Sequence, residues 1–224
     1  MAIRDWPAAE RPREKLLELG PQSLSEAELL AILIRTGIRG LSALDVAREL
    51  LTEFGSLRGV LTADRNRVCA ARGLGPSQYV ALQAALELTR RHYQQLMAAR
   101  PALVDSRAIR DFLRMRLRDL PHEVFCCVYL DGHHRVSGFE ELFRGTIDSA
   151  TVHPREVVKQ ALAQNASAVI LAHNHPSGHP EPSQADELIT QRLKNALSAV
   201  EIRLLDHLIV ADGVCESLSE RGLL

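Results

Sequence analysis

Four side chains that can bind a metal ion or support hydrolysis lie close together between residues 173 and 186. They are His173, His175, Ser183 and Asp186. Imidazole nitrogens and carboxylate oxygens are common zinc ligands, and a catalytic zinc site has three protein ligands with the fourth position open to water. Two histidines and one aspartate therefore make a sound three-ligand set, whereas a serine hydroxyl is a poor zinc ligand.

The same residues also have simpler interpretations. A His-x-His pair on a strand is common in proteins that bind no metal there, so the pair alone is a weak signal. Ser183 and Asp186 have the spacing of a capping box, in which the hydroxyl caps a helix and the acid lies in its first turn. Capping and metal binding can both be true of these residues.

The complete spacing of this stretch resembles a known signature. His-x-His, seven residues, Ser, two residues and Asp match the metal-binding signature of the JAMM metalloprotease family. Two segments, Val152-His153-Pro154-Arg155-Glu156 and His173-Asn174-His175-Pro176-Ser177-Gly178, are similar to those of the bacterial RadC family within that group. The resemblance covers the whole chain.

This resemblance implies a zinc hydrolase. It implies one zinc ion per chain, held by His173, His175 and Asp186, and hydrolysis of a peptide or isopeptide bond by an activated water molecule. It gives Ser183 the role of donating a hydrogen bond to the oxyanion that forms on the scissile carbonyl. It also implies a JAMM/MPN domain with a cytidine-deaminase-like, mixed-sheet α/β fold, and an association with DNA repair.

A general base is the remaining requirement, because amide hydrolysis needs a group that removes a proton from the attacking water. The resemblance points to a glutamate on an upstream strand, and the best match is Glu123. Spacing alone does not choose this residue, since an acid at a strand end is often simply exposed. Three other acids compete with it: Glu140, Glu141 and Glu156.

The other histidines carry weaker signals. His153 and His207 are interpreted as structural histidines, with orientation of a metal ligand as the alternative. His179 follows the His-x-His pair in a loop and is expected to be exposed, with a position near the metal as the alternative. His133 and His134 flank a turn and are expected to be exposed.

The elements that position the four side chains follow from the pattern around them. Residues 167–172 are a short apolar run typical of a buried strand. His173 and His175 continue it and, being two residues apart, point to the same face of the sheet. The prolines and the glycine of residues 176–182 end the strand, and a helix is predicted over residues 183–199.

The surrounding pattern predicts an α/β domain over residues 102–224. Helices are expected over residues 107–120 and 154–164, and Asp131-Gly132 is typical of a hairpin. Hairpin signals beside crossover helices indicate a mixed sheet. The remaining predicted strand segments are residues 123–130, 133–143, 145–150, 201–205 and 207–210.

Residues 1–98 are predicted to form an all-helical domain. Its clear helices are expected over residues 26–35, 43–54 and 76–97, joined by glycine turns and preceded by a polar, proline-marked segment. Residues 98–104 are predicted to be a linker to the α/β domain.

A turn in the helical domain supports a second functional hypothesis. Gly73-Leu74-Gly75 resembles the hairpin of a helix–hairpin–helix motif, in which backbone N–H groups approach a DNA phosphate. Pro76 removes one donor, and Ser77 and Gln78 stand where a basic residue would strengthen the contact. The sequence therefore predicts at most weak DNA contact through Gly73–Gly75, and a plain helix–helix turn explains the motif equally well.

Charge gives little support to nucleic-acid binding. The net charge is −1 and the isoelectric point is about 6.8, which does not favour a strongly basic nucleic-acid binder. Arg110, Arg114 and Arg118 repeat every four residues along one predicted helix face. That face could bind phosphates or an acidic partner, but a solvated surface is the commoner explanation.

Composition also indicates the compartment. No apolar run is long enough to span a membrane, and the N-terminus lacks the apolar core of a signal peptide, so a cytoplasmic protein without a membrane partner is expected. The four cysteines contain no Cys-x-x-Cys pair and are expected to be reduced thiols. They are Cys69, Cys126, Cys127 and Cys215.

These observations favour a cytoplasmic zinc metalloprotease with a peptide or protein substrate. One rival is a non-enzymatic DNA-associated protein whose metal is structural. A second rival is a zinc-dependent hydrolase of nucleic acid. Many nucleases use two metal ions, and only three good ligands are evident here, which counts against the second rival.

Overall fold

A computed structural model of the protein describes residue 3 and residues 6–99, 106–145 and 152–224. The chain forms two compact units, Met1–Thr89 and Arg90–Leu224. The domain boundary predicted between residues 98 and 102 stays a prediction, and most of the predicted linker lies outside the described residues. Residues 98 and 99 belong to a helix instead, because that helix continues two residues beyond its predicted end.

The first unit is built from helices. The helix predicted over residues 43–54 has these bounds in the structure. Those predicted over residues 26–35 and 76–97 begin where expected and end within two residues of the predicted end. The helices are α1 (Pro12–Leu19), α2 (Glu26–Ile34), α3 (Ala43–Phe54), α4 (Leu57–Thr62), α5 (Arg65–Ala70) and α6 (Pro76–Ala99), with short 3-10 helices at Ala8–Glu10 and Pro21–Ser23. Helix α6 continues past Thr89 into the residues of the second unit.

Local sequence signals explain where these helices begin and end. Ser25 and Ser42 each accept a hydrogen bond from a backbone N–H three residues on, forming capping boxes at the starts of α2 and α3. Gly55 ends α3 in the left-handed conformation at φ 77°. Helix α1 was not predicted, because Leu17 and Leu19 are exposed and leave it without a buried apolar stripe.

The Gly73–Gly75 turn packs tightly against α3. A Cβ atom at Gly73, which has φ +84°, would lie 3.0 Å from both Cγ atoms of Val46. The backbone N–H of Leu74 donates to the Ala71 carbonyl at 3.2 Å, and that of Gly75 donates to Gln78 Oε1 at 3.1 Å. Both N–H groups are already hydrogen-bonded within the protein, so a phosphate would have to displace these partners.

The second unit is a mixed α/β domain, as predicted. Its five-stranded sheet has the order β2-β1-β3-β4-β5, in which only β3 and β4 are parallel. The elements are α7 (Ser106–Leu117), β1 (Val124–Leu130), β2 (Val136–Arg144), α8 (Pro154–Ala163), β3 (Ala168–Asn174), α9 (Gln184–Ser198), β4 (Arg203–Val210) and β5 (Cys215–Ser217).

Strands β1 and β3 form the centre of this unit, and all their residues are buried. Alternate side chains enter two different cores, one on each face of the sheet. Helix α7 covers one face, where Cys126 and Val128 lie. Helices α8 and α9 cover the other, where Phe125 and Cys127 lie. The stretch that carries the candidate ligands, residues 173–186, leaves β3 on the α8/α9 face.

Some of the predicted strand boundaries differ from the structure. Strand β2 begins at Val136 rather than at residue 133, because the Asp131 carboxylate accepts backbone hydrogen bonds from His133 and Arg135 and closes a turn. The two segments predicted over residues 201–210 form the single strand β4, and Asp206 lies at a bulge in it. The segment predicted over residues 145–150 lies almost entirely outside the described residues.

All four cysteines are free, as expected for reduced thiols. Burial raises the pKa of the Cys126 thiol well above its ordinary value and also raises that of Cys215, to about 11. Such thiols are neutral and unreactive near neutral pH. None of the described helices is both long and apolar enough to cross a membrane.

Candidate metal centre

The two histidines of the His-x-His pair lie at the carboxyl end of β3. His173 is the penultimate residue of the strand and is only 1% exposed. His175 is one residue beyond the strand and half-buried, and its backbone N–H donates to the Val210 carbonyl of β4 at 2.9 Å. This bond prolongs the strand geometry, so the two imidazoles leave the same face of the sheet together.

Ser183 and Asp186 form the N-terminal cap of α9. The Asp186 backbone N–H donates to Ser183 Oγ at 3.2 Å, and the Ser183 backbone N–H donates to Asp186 Oδ2 at 2.7 Å. These two bonds complete a capping box. The cap holds the Asp186 carboxylate at the start of α9, where it faces the two histidines. The same aspartate can therefore cap the helix and bind a metal ion.

The candidate ligand atoms lie at distances suited to one small cation. His173 Nε2 is 2.9 Å from His175 Nε2 and 3.2 Å from Asp186 Oδ1, and His175 Nε2 is 3.5 Å from Asp186 Oδ2. Tetrahedral ligands of zinc are about 3.3–3.4 Å apart, since Zn–N and Zn–O bonds are about 2.0–2.1 Å long. The three side chains could therefore hold a metal ion.

The hydrogen bonds of His175 support this assignment. Its Nδ1 lies 2.7 Å from the carbonyl oxygen of His179, which can only accept, so Nδ1 carries a proton. In the neutral ring, Nε2 is then the atom with a free lone pair, and it points at His173 and Asp186. Such a cluster of lone pairs needs either protons or a cation between its members.

In the metal-free protein, protons take that place. Burial would raise the pKa of the Asp186 carboxyl, but its contacts with His173, His175 and Ser183 outweigh it and hold that pKa far below its ordinary value. The hydrogen bond to Asp186, aided by the His179 carbonyl, raises the pKa of His175 above its ordinary value of 6.5. The site therefore attracts positive charge.

His207, on strand β4, contacts the candidate ligand His173. It is fully buried, and its Nε2 lies 2.9 Å from His173 Nδ1 while its Nδ1 lies 2.6 Å from Thr190 Oγ1. Burial lowers the pKa of His207 well below its ordinary value, so the ring is neutral. The favoured interpretation of His207 as a purely structural histidine is therefore incomplete, and the alternative, orientation of His173, fits its contacts.

Thr190 was missed by the sequence analysis. Its position four residues after Asp186 on α9 was the available signal, because residues at that spacing share a helix face. Asn174 was missed as well. Its side chain accepts a hydrogen bond from the Val124 backbone N–H at 2.8 Å and donates one to the His122 carbonyl at 3.1 Å.

Glu123, the predicted base, is half-buried and directly precedes β1. Strands β1 and β3 pair antiparallel with Phe125 opposite His173. Continuing this register by two residues brings Glu123 opposite His175, on the same face of the sheet. In agreement, the Glu123 charge is one of the causes that raise the pKa of His175, after the hydrogen bonds to Asp186 and His179.

The competing acids are engaged in other pairs. Both carboxylate oxygens of Glu140 accept hydrogen bonds, from the Tyr129 hydroxyl and from the Gln164 amide. Glu141 pairs with Arg116 and Arg144. Glu156 pairs with Arg155 and Lys159. Of the four glutamates considered, Glu123 is the one that acts on a histidine of the cluster.

The remaining sequence-derived candidates lie in ordinary surroundings. His153 is exposed and packs edge-on against Phe143. His179 is exposed and acts through its backbone carbonyl. His133 is exposed as expected, whereas His134 is half-buried and contacts Arg203.

The arginine face of α7 is neutralised by acids. Arg110 forms an ion pair with Glu220, and Arg118 forms one with Asp212 at 2.7 Å. Arg114 lies 3.6 Å from Asp111 on the same helix. Pairing of each arginine with an acid weakens the positive potential that a phosphate backbone would meet on this face.

Comparison with known proteins gives matches along most of the chain. A family model described as a RadC-like JAB domain matches residues 103–223, and one described as UPF0758 N-terminal matches residues 3–80. A UPF0758 protein of Nitrosococcus oceani is 61% identical over the whole of both chains. UPF0758 proteins of Stutzerimonas stutzeri and Azotobacter vinelandii are 59% and 58% identical, over 99% and 100% of both chains.

Proposed function

This chain belongs to the family of the RadC-like JAB domain, and from that premise we propose that it is a zinc-dependent hydrolase of peptide or isopeptide bonds. The observation that carries the proposal is the convergence of His173 Nε2, His175 Nε2 and the Asp186 carboxylate, with Glu123 in register beside them. A JAB fold is typical of hydrolases, and the residues supply each part that metal-assisted hydrolysis needs.

Zinc suits this donor set better than magnesium or calcium. Those two ions prefer oxygen ligands, whereas two imidazoles and one carboxylate are the kind of set found in catalytic zinc sites. We assign one zinc ion per chain to His173, His175 and Asp186. A zinc ion held by three protein ligands supplies Lewis acidity and lowers the pKa of water toward neutrality.

Glu123 acts as the general base. Its carboxylate accepts a proton from the attacking water and returns it to the departing amine, so that no charged amine anion has to leave. The clamp of Asn174 on the backbone at residues 122 and 124 holds Glu123 at the edge of the site. A half-buried carboxylate in this position is partly shielded from bulk water, which favours proton transfer.

Ser183 stabilises the oxyanion on the scissile carbonyl. Its hydroxyl donates to Asp186 Oδ2 at 2.6 Å, so the O–H must turn away from the carboxylate to reach the substrate. The side chain is exposed at the start of α9, which leaves room for that rotation. The helix N-terminus adds a positive potential that favours the developing negative charge.

A peptide or protein substrate is favoured over nucleic acid. In the described part of the chain, His173, His175 and Asp186 are the one group of His, Cys, Asp or Glu side chains close enough to hold a metal ion. This argues against a two-metal nuclease. The DNA-associated alternative, with a structural metal, rests on the Gly73–Gly75 turn and on the face of Arg110, Arg114 and Arg118. Weak DNA contact through the turn stays a prediction.

The first test is the metal content of purified protein. Wild-type protein should contain about one zinc per chain by elemental analysis, as expected for a single three-ligand site. The His173→Ala and Asp186→Ala variants should lose the metal. No zinc in the wild type, even after reconstitution, would overturn the proposal and place the DNA-associated alternative first.

The second test is a mass-spectrometric screen with peptides and isopeptide-linked conjugates. Zinc-loaded wild type should cleave a subset of them, and Glu123→Gln should keep its zinc and lose cleavage. Glu156→Gln removes the same charge from a glutamate paired with Arg155 and Lys159, and it should remain active. Equal cleavage by Glu123→Gln would contradict the assigned base. Zinc-loaded protein that cleaves nothing but binds DNA with a steep salt dependence would favour the alternative.

A further inference from the structure

A buried chain of hydrogen bonds runs from the backbone of one candidate ligand to the side chain of another. Thr190 Oγ1 lies 2.5 Å from the Asp186 carbonyl oxygen and 2.6 Å from His207 Nδ1. His207 Nε2 lies 2.9 Å from His173 Nδ1. Thr190, His207 and His173 are all at most 1% exposed. Water therefore does not compete for these contacts.

The first member of the chain fixes the direction of every proton in it. A carbonyl oxygen only accepts, so the Thr190 hydroxyl donates to Asp186. The threonine oxygen then accepts from His207 Nδ1–H. Since a neutral imidazole has a single N–H, His207 Nε2 must accept, and the donor is His173 Nδ1–H. A reversed chain would leave two oxygens 2.5 Å apart with no proton between them.

The sheet places His207 for this contact by means of a bulge. In the parallel pairing of β3 with β4, Val169 is opposite Leu204, whereas Ile170 is opposite Asp206, so Leu205 is an extra residue. An extra residue reverses which face the following side chains occupy. His207 consequently faces the α8/α9 side of the sheet with His173, and Asp206 faces α7.

An aromatic ring keeps both imidazoles in place. The Phe125 ring stacks on His173 with 9° between the planes and a centroid distance of 6.2 Å. It also contacts His207 nearly edge-on, with centroids 5.4 Å apart. Phe125 is buried and offers no polar atom, so it does not compete for the hydrogen bonds of the two histidines.

We propose that Thr190 and His207 are positioning residues that fix the tautomer and ring orientation of His173, so that its Nε2 lone pair is presented to the metal. This inference rests on the proposed metal centre. Because the chain starts at the Asp186 carbonyl, it also ties the first turn of α9 to the end of β3. His175 is held differently, by the carbonyl of His179 in an exposed loop.

The tautomer of His173 can be measured directly in the metal-free wild type. Long-range ¹H–¹⁵N NMR spectra distinguish protonated from unprotonated ring nitrogens. We expect His173 and His207 each to carry the proton on Nδ1. A proton on Nε2 of His173 would overturn the inference, whether or not any variant folds.

Zinc affinity provides the second readout. Thr190→Val keeps the shape of the side chain but removes the hydroxyl, and Thr190→Ser keeps the hydroxyl as the matched control. Loss of a partner that orients a metal ligand typically lowers affinity by about 10–100-fold. We expect a loss of this size in Thr190→Val and in His207→Leu, and affinity close to wild type in Thr190→Ser, by competition with a chromophoric chelator.

The outcomes separate this inference from the proposed function. Folded Thr190→Val and His207→Leu variants with wild-type zinc affinity would overturn the positioning role while leaving the metal centre intact. A wild type that binds no zinc would instead overturn the proposed function. In that case the tautomer measured in the metal-free protein would still decide whether the hydrogen-bond chain has the inferred direction.

Discussion

The side-chain oxygen of Asn174 lies 2.8 Å from the backbone nitrogen of Val124 and accepts its hydrogen bond. The same amide donates to the His122 carbonyl at 3.1 Å. Both bonds are made to the residues that flank Glu123. One buried side chain, which lies between His173 and His175 in the sequence, therefore positions the proposed base by way of the backbone.

Replacing Asn174 should impair the proposed base and leave zinc binding intact. In Asn174→Ala we expect kcat on a substrate from the peptide screen to fall while zinc content stays near wild type, because Glu123 loses its support and the ligands keep theirs. The buried Val124 N–H is left unsatisfied, which costs about 1–3 kcal/mol in the free energy of unfolding. Steady-state kinetics, elemental analysis and chemical denaturation check the three parts.

Asn174→Asp is the matched variant, since it keeps the acceptor for Val124 and loses the donor to His122. It should retain more activity than Asn174→Ala. Loss of zinc from Asn174→Ala, or unchanged kcat, would contradict the positioning of Glu123 by this residue.

Ser183 should contribute to both stability and catalysis, and a second capping box allows the two to be separated. The Ser183–Asp186 and Ser42–Asp45 boxes each have the hydroxyl 2.6 Å from the carboxylate. Replacing either serine by alanine should lower the free energy of unfolding by about 0.5–2 kcal/mol. Only Ser183→Ala should also lower kcat, by roughly 10²–10³-fold for a lost oxyanion donor.

Kinetics and denaturation of the two variants side by side decide this prediction. If Ser42→Ala lost as much activity as Ser183→Ala, the loss would follow from stability alone. If Ser183→Ala kept wild-type kcat, the oxyanion role would be wrong.

The local part of this arrangement could be predicted from the sequence. Alternation along a strand places His173 and His175 on one face, and a capping box places Asp186 in the first turn of a helix. The mixed α/β fold and the helices around α3 also follow from local pattern and are confirmed. Each of these features depends on residues that are close together in the chain.

The contacts that depend on strand pairing could not be predicted in the same way. His207 reaches His173 only because β4 lies parallel to β3 with a one-residue bulge, and a simple alternating pattern would place His207 on the other face. Asn174 reaches the backbone beside Glu123 only through the antiparallel register of β1 and β3. Sequence pattern gives the faces of a single strand but neither its neighbour nor its register.

Two glycines of the helical unit test whether close packing or backbone conformation constrains the Gly73–Gly75 turn. Gly73 and Gly40 have similar positive φ values of +84° and +89°. A Cβ at Gly73 would lie 3.0 Å from both Val46 Cγ atoms, whereas a Cβ at Gly40 would meet nothing within 4 Å. Both alanine variants should be destabilised by about 1–2 kcal/mol because of the left-handed backbone.

Gly73→Ala should lose about 1–3 kcal/mol more than Gly40→Ala, which is typical of overpacking a buried site. Chemical denaturation of the two variants gives the difference. Equal destabilisation would mean that α3 and the turn separate at little cost, and that the turn is not held by its contact with Val46.

The pKa shifts of the cluster predict how zinc binding depends on pH. His175 has a folded-state pKa above 6.5, so its pairing with Asp186 stabilises the metal-free fold below pH 6.5 and is lost as the pH rises through the folded value. Asp186 has a pKa lowered from 3.8, so its contribution is present above pH 3.8 and is lost as the pH falls through the folded value. The pair therefore stabilises the metal-free protein most between pH 3.8 and pH 6.5.

Zinc must displace the proton of His175, so the stabilisation of the fold by zinc should increase with pH and continue to increase above pH 6.5. Over the same range the metal-free protein should lose the contribution of the pair. Thermal unfolding with and without zinc, from about pH 5 to about pH 8.5, measures both trends across the titration range of histidine.

The Asp186→Asn variant removes the acid that raises the pKa of His175. In the metal-free state, the wild type should therefore be more stable than this variant below pH 6.5 and should lose that advantage above it. Zinc stabilisation that is independent of pH would contradict the assignment of His175 as a ligand.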